Sequence, residues 1–425
     1  MQTACEVPGS VGWIGLSDKT FEFAYSPIDF IRNKTKEHCS PVFKVRVLNK
    51  PTIFLTSSNA VKELLEDNYQ CFEMGYKDLG YMHSLFGDLV LFFNEDDSVS
   101  RLRGLIHSLF IPQTVETITD VVNRSCNNHF PGFQQATSIA VYDHFKQLTT
   151  QMCLSMFLGL DCKTSMEETQ KIAALTVTHW HGLISVPISL KIGNFASSYG
   201  LAMEAQKHLL EVIKQRLPQS KDCLLSTMND VGFRDIEELS RHMLLFVSAL
   251  VPKALSSLLT SCCLELAKPH NAARRLRATT DDEYLDKVLL EVKRLWPPFL
   301  GGRRIAKKSV VLDGFHIPKG YSVAYLTRSA NIDPSVFKNP EKFLPERWEE
   351  IDAQQKRSRV FTFGFGPRNC IGEHCIGRIL HIIMKRLLAE YGWELDNDQD
   401  LTYKWLPVSR PKHDVMAKFW SKAAL

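Results

Sequence analysis

From Asn59 to Leu295, apolar side chains recur at three- and four-residue steps, the repeat that lines one face of an α-helix. The repeat is clearest in Ala60–Glu66, Gly104–Phe110, Val141–Leu158, Ala202–Leu217 and Ile236–Leu266, and each of these segments predicts a helix. An earlier amphipathic helix is predicted near Ile28–Glu37. The period shortens to two in Phe43–Val47 (FKVRV), and a β pattern continues through Thr52–Leu55. After Trp296-Pro297-Pro298, the stretches Lys308–Leu312, His316-Ile317 and Ser322–Leu326 read as strands punctuated by Gly and Pro. A helix follows Cys370, and short β segments close the chain near Trp405 and Met416–Phe419. The expected fold class is mainly α with a smaller, split β portion. The strands come from about 40–56, 300–345 and the C-terminal end, and the helices fill about 59–295 and 370–390. No linker-like composition interrupts the chain, so residues 1–425 are expected to form a single domain.

Composition narrows the class without naming an activity. With 44% hydrophobic and 23% charged residues, the chain is ordinary globular protein, which excludes collagen-like and disordered readings. A net charge of +4 is too mild to demand nucleic acid, although peripheral contact with an anionic membrane is compatible with it. The basic pairs Arg303-Arg304 and Lys307-Lys308 read as a solvated face. Eleven cysteines are scattered with no CxxC pair, which argues against a zinc ribbon and for reduced thiols in a cytosol-facing compartment. Met243–Cys263 is long enough to cross a bilayer. Pro252 and Lys253 lie at its centre, however, where a lysine costs about 2.5–3.5 kcal/mol on insertion scales. A core helix with a local break is the expectation.

Candidate chemistry is concentrated in Phe363-Gly364-Phe365-Gly366-Pro367-Arg368-Asn369-Cys370-Ile371-Gly372. A cysteine stands here in a glycine-rich loop just before a helix, where backbone N–H groups and the helix dipole favour an anionic sulfur. Gly366 and Gly372 would permit close backbone approach and unusual torsions. Phe363 would shield the sulfur, and Arg368 offers a fork for a carboxylate.

This segment resembles the heme-binding loop of the cytochrome P450 (heme-thiolate) family, with F-x-x-G-x-R-x-C-x-G complete. Two more motifs of that family follow the same order. Glu291-Val292-Lys293-Arg294 matches E-x-x-R, and Phe343-Leu344-Pro345-Glu346-Arg347-Trp348 is similar to the P-E-R-W segment. Glu291 and Arg294, three apart on one helix face, can join Arg347 in a buried ion cluster. Gly182–Leu190 and Ala202–Arg216 are similar to the branch holding retinoid, plant-sterol and taxane hydroxylases.

The resemblance implies the triangular, mostly α fold of that family and heme b (iron protoporphyrin IX) as cofactor, with Cys370 as the iron ligand. It implies propionate partners at Arg368, Arg304 and Arg103, and packing alone for Cys375. It places Phe246, Ala249, Leu250, Phe299, Leu300, Trp405 and Leu406 along a pocket for a lipophilic small molecule such as a terpenoid, sterol or fatty-acid derivative. NADPH would act through a reductase partner. The protein is expected to be soluble and cytoplasmic, or on the cytosolic face of the endoplasmic reticulum if an anchor preceded Val7-Pro8-Gly9.

Two departures stand out against that family pattern. Leu250 and Val251 occupy the acid and alcohol positions of the oxygen-activation helix, and neither side chain can donate a proton. Ser248, a water chain or a substrate hydroxyl would have to serve instead, and Pro252 removes a helix hydrogen bond. Lys253 is expected to point toward a surface or partner. Val99 stands where a Trp or His would hold a propionate, which leaves Arg103. Three activities therefore stay open: O2- and NADPH-dependent hydroxylation, O2-independent peroxygenation or hydroperoxide isomerisation, and non-catalytic heme or ligand binding.

Overall fold

The computed structural model describes residues 4–91, 93, 97–108, 112–134, 137–160, 166–192, 195–217, 223–225, 228, 232–269, 271–278 and 281–422. Their backbone groups into two compact units whose segments alternate along the chain. The first comprises Met1–Tyr76, Ser261–Cys370 and Asp400–His413, and the second Lys77–Thr260, Ile371–Gln399 and Asp414–Leu425.

The first unit is organised around a five-stranded sheet in the order Val42–Val47, Lys50–Leu55, Ser322–Tyr325, Gly302–Ala306 and Phe72–Met74. Lys50–Leu55 and Ser322–Tyr325 pair in parallel, Thr52 opposite Ser322 and Leu55 opposite Tyr325, which joins strands distant in sequence. Alternation of side chains serves two cores. Val42, Ile53, Leu55 and Val323 enter one apolar cluster with Val61, Leu65 and Phe361. Phe43, Val45, Val47 and Phe54 enter another with Phe30, Leu300, Leu326 and Trp405. Phe43 and Phe54 stack across neighbouring strands at 5.2 Å. Gly302–Ala306 is a strand that the sequence pattern missed. Its Arg303-Arg304 pair is buried at 8% and 9% exposure, not solvated, while Lys307 and Lys308 are exposed as expected. Helix Asp282–Leu295 starts where the Asp281 carboxylate accepts the Tyr284 N–H at 2.9 Å.

The second unit is helical, with Asp97–Ser108, Pro112–His129, Val141–Leu158, Met166–His181, Ser198–Arg216 and Glu373–Glu390 among its main elements. Val141–Leu158 coincides with the predicted span and buries Phe145, Leu148, Met152 and Phe157. The end of the predicted helix Gly104–Phe110 lies outside the described residues. Tyr391–Leu395, Met416–Ser421 and Ile139–Ala140 form a small antiparallel sheet, in which Phe419 stacks on Phe133 at 4.4 Å.

Among the described residues, one helix, Ile236–Ala267, is long and apolar enough to cross a membrane, and 88% of its most apolar window is buried inside the protein. It opens with the Asp235 carboxylate accepting the Glu238 N–H at 2.8 Å. The break expected in it is real: Phe246–Leu250 widens to a π-helical turn just before Pro252, whose missing N–H cannot continue the ladder.

Candidate active site

The ion cluster ties together chain segments that lie far apart in sequence. Arg294 donates to both Glu291 oxygens, from Nε at 2.9 Å and Nη2 at 2.7 Å, and also to the carbonyls of Asn331, Pro340 and Lys342. Glu291 also accepts from Arg347 Nε at 3.0 Å, Trp348 Nε1 at 2.9 Å and the Leu344 N–H at 3.0 Å. A buried carboxylate is tolerated only when its lone pairs are filled this completely. Asn331, which no motif flags, connects the cluster to the cysteine loop. Its amide donates to the Arg294 carbonyl at 3.1 Å, and its side-chain oxygen accepts the Phe361 N–H at 2.8 Å. Thr362 adds a hydroxyl bond to the Lys293 carbonyl at 2.6 Å.

The loop is therefore fixed at its entry before it reaches the cysteine. Gly364 and Gly366 both have left-handed φ, +73° and +67°. A Cβ at Gly366 would lie 2.3 Å from the Leu65 carbonyl oxygen, so glycine is required there. Gly372 does not need that freedom. It stands at the start of helix Glu373–Glu390 with an ordinary φ of −82°, and Gly364 carries the second unusual torsion instead. The Cys370 N–H donates to the Phe363 carbonyl at 2.7 Å. Phe363 is half-buried, with the Lys293 ammonium 5.8 Å from its ring.

Cys370 differs from most other described thiols in its setting. Cys126, Cys153, Cys262 and Cys263 are buried, and burial pushes their thiols up, Cys126 to about 12, so they remain protonated. Cys370 is exposed at the end of a glycine loop, while Cys375 lies half-buried within the following helix. No three His, Cys, Asp or Glu side chains gather into a metal site among the described residues. One thiolate donor at Cys370 fits an iron held by a porphyrin.

Arg304 fits the same group. Its Nη1 donates to the Arg303 carbonyl at 3.0 Å and its guanidinium lies 5.4 Å from the Tyr325 ring. Its side chain makes no further hydrogen bond or ion pair among the described residues, which leaves N–H groups for a carboxylate. Arg303, beside it in sequence, donates instead to the Gly75 carbonyl and the Ser322 hydroxyl. Arg368 is half-buried in the turn Gly366–Arg368. Arg103 is half-buried on helix Asp97–Ser108, and Val99 on the same helix is buried.

In the second unit, the oxygen-activation segment keeps its widened backbone without proton donors at the expected positions. The side chains of Ala249 and Leu250 lie outside the described residues, and Val251 is half-buried. The Ser248 hydroxyl lies 2.7 Å from the Leu244 carbonyl and 2.8 Å from His179 Nδ1. His179 Nε2 lies 2.9 Å from the Leu85 carbonyl, which can only accept, so Nε2 carries the proton and Nδ1 accepts. Burial pulls His179 down to about 4, which keeps it neutral. Ser248 is thus engaged with His179 and the backbone. Lys253 corrects its expectation outright: it is 2% exposed, and burial lowers it to about 8. Phe246 is half-buried and stacks on Phe157 at 5.7 Å.

Three of the expected pocket residues meet in the first unit. Leu300, Trp405 and Leu406 share the apolar cluster of Phe30, Phe43 and Phe54, with Trp296 stacked on Trp405 at 5.9 Å. Phe299 is half-buried beside Leu300 in sequence.

An exposed cysteine donor on a pinned glycine loop, with a buried arginine offering free N–H groups, defines a heme-thiolate oxidoreductase. The chain belongs to the cytochrome P450 family, whose description, Cytochrome P450, matches residues 21–241 and 273–419. It is 26% identical to "Putative cytochrome P450 120" of Synechocystis sp. over 97% of this chain and 96% of that protein. It is 24% identical to "Abscisic acid 8'-hydroxylase 4" of Arabidopsis thaliana over 97% of this chain and 92% of that one. Among solved structures it resembles "Retinoic acid bound cyanobacterial CYP120A1", with a TM-score of 0.87, 25% identity and coverage of 99% of this chain and 100% of the other. The fold is therefore that of the P450s, and the protein is an enzyme of the monooxygenase class with heme iron as its redox centre.

Proposed function

We propose that the protein hydroxylates a lipophilic small molecule of retinoid or related isoprenoid type, using O2 and electrons from NADPH delivered by a reductase. The observation that carries this reading is full-length similarity to a hydroxylase and to a retinoic-acid-bound P450, combined with the complete cysteine loop. Heme b, once bound, supplies the iron at which O2 is reduced and one oxygen atom is passed to a substrate C–H bond. Cys370 would hold the iron through its sulfur, and Arg304 and Arg368 would neutralise the propionates. Leu300, Trp405 and Leu406 would bury the substrate's apolar body and exclude water from it. We take residues 1–425 as one functional domain, because neither unit is continuous along the chain.

A peroxide-driven reaction on the same heme is the second reading. It is favoured by Leu250-Val251 in place of an acid and an alcohol, and by the engagement of Ser248 with His179. Pre-reduced oxygen needs less proton delivery. Incubating the heme-loaded protein with retinoic acid separates the two readings. Product formed with NADPH, reductase and O2, and not with peroxide, supports the first. Product formed with peroxide alone supports the second, and no product under either condition sinks the retinoid assignment.

A further inference from the structure

Arg328 is a half-buried cation of the first unit that neither the cluster nor the heme reading uses. It lies on the short helix Thr327–Asn331, directly after the strand Ser322–Tyr325. Its backbone N–H donates to the Leu300 carbonyl at 3.3 Å, which anchors it beside the apolar cluster of Leu300, Leu326, Trp405 and Leu406. The guanidinium faces two indoles, 5.4 Å from the Trp405 ring and 5.8 Å from the Trp296 ring. Its Nε and Nη1 are shut off from solvent and have no hydrogen-bond partner among the described residues.

Arg294 shows how unusual that is. It is fully buried, yet it donates five hydrogen bonds, two of them to Glu291. Among the described residues, Arg328 has no carboxylate within bridging distance. Glu341, the acidic group that most favours its charge, is exposed and forms no ion pair with it. Burial lowers Arg328 only to about 10, so it stays protonated at neutral pH. A positive charge with unfilled donors, walled by tryptophan and leucine, matches an anion with an apolar body. A single charge suits a monoanion, a carboxylate, better than a phosphate.

We propose that Arg328 anchors the carboxylate of the substrate, so that this enzyme acts on lipophilic acids in preference to the matching alcohols or esters. The proposal rests on the reading of Leu300, Trp405 and Leu406 as substrate wall and goes beyond it by fixing the polar end of the molecule.

The test is equilibrium dialysis of the heme-loaded protein against retinoic acid, retinol, myristic acid and tetradecanol, for the natural chain, Arg328→Gln and Arg328→Lys. Each acid is expected to bind about 10- to 100-fold tighter than its alcohol, the range of one charge-assisted hydrogen-bonded contact. R328Q should erase that preference while leaving the alcohol Kd unchanged, and R328K should keep part of it. Equal affinity for acid and alcohol in the natural chain overturns the proposal, as does a parallel loss of both in R328Q. Binding of none of the four overturns the lipophilic-substrate reading itself. The melting temperature of ligand-free Arg328→Met then decides the role of Arg328: a rise supports an unfilled anion anchor, and a fall overturns it in favour of a structural cation.

Discussion

The cysteine loop and the π-helical turn Phe246–Leu250 meet the family pattern in opposite ways. In the loop, residue identities are intact. Cys370, Arg368 and Gly366 stand in register, and the backbone is tied through Phe361 and Thr362 to Asn331 and Lys293. In the turn the acid and alcohol are gone, yet the backbone widening remains, set beside Pro252 and bonded through Ser248 to His179. The lesson is about what each region must supply. A loop that binds through particular donor atoms cannot change them without losing its ligand. A helical turn that acts through its shape can be built from different side chains, provided its backbone groups are satisfied.

Substitutions can break or sharpen this contrast. The largest effect belongs to the loop: Cys370→Ala should abolish the thiolate-type absorption of the ferrous–CO complex, and Cys375→Ala should leave it in place. A reversal of the two would mean that the donor has been misassigned. Next comes the cluster behind the loop. Glu291→Ala strands Arg294 and Arg347, and denaturant unfolding should register a loss of about 3–5 kcal/mol, the range for breaking a buried pair.

The π-turn should instead show itself in pH dependence. The folded pKa of His179 is depressed from 6.5 to about 4, so the unfolded chain binds its proton first. Stability from this group is full above about pH 6.5 and is lost as pH falls toward 4, by about 3 kcal/mol in all. His144, also lowered to about 4, adds a parallel loss. His179→Gln should therefore flatten only part of the acid limb, and an unchanged limb would show that His179 is already charged in the fold. The smallest effect is on the missing donors. Leu250→Asp with Val251→Thr should raise reductase-driven product yield per NADPH by about tenfold, the low end for a positioned proton donor being larger still. No gain would mean that protons already arrive by another route.

Much of this was legible in the sequence, because its signals are local. The helical repeat located Val141–Leu158, and alternation located Val42–Val47 and Lys50–Leu55. The E-x-x-R and P-E-R-W residues were readable because each pair needs only one turn of backbone between them. The Trp348 bond to Glu291 depends on a tertiary approach that its place in the motif does not announce. What escaped depends on partners far away in the chain. Arg303-Arg304 looked like a solvated basic pair because nothing nearby announces Gly75, Ser322 or Tyr325 as neighbours. Lys253 looked like a surface lysine for the same reason. Asn331 and Arg328 sit three residues apart in an unremarkable stretch, and only tertiary structure separates the bridge from the unpaired charge.

The Asn331 bridge has a consequence for how the enzyme acquires its cofactor. The entry to the cysteine loop is held by protein hydrogen bonds, from the Phe361 N–H to Asn331 and from the Thr362 hydroxyl to the Lys293 carbonyl. Bonds of this kind form with the chain fold, so they remove part of that segment's ordering entropy during folding. Uptake by the apoprotein should resemble insertion into a ready socket: second order, with little change in helical content, and slowed in Asn331→Ala even though Asn331 touches no ligand.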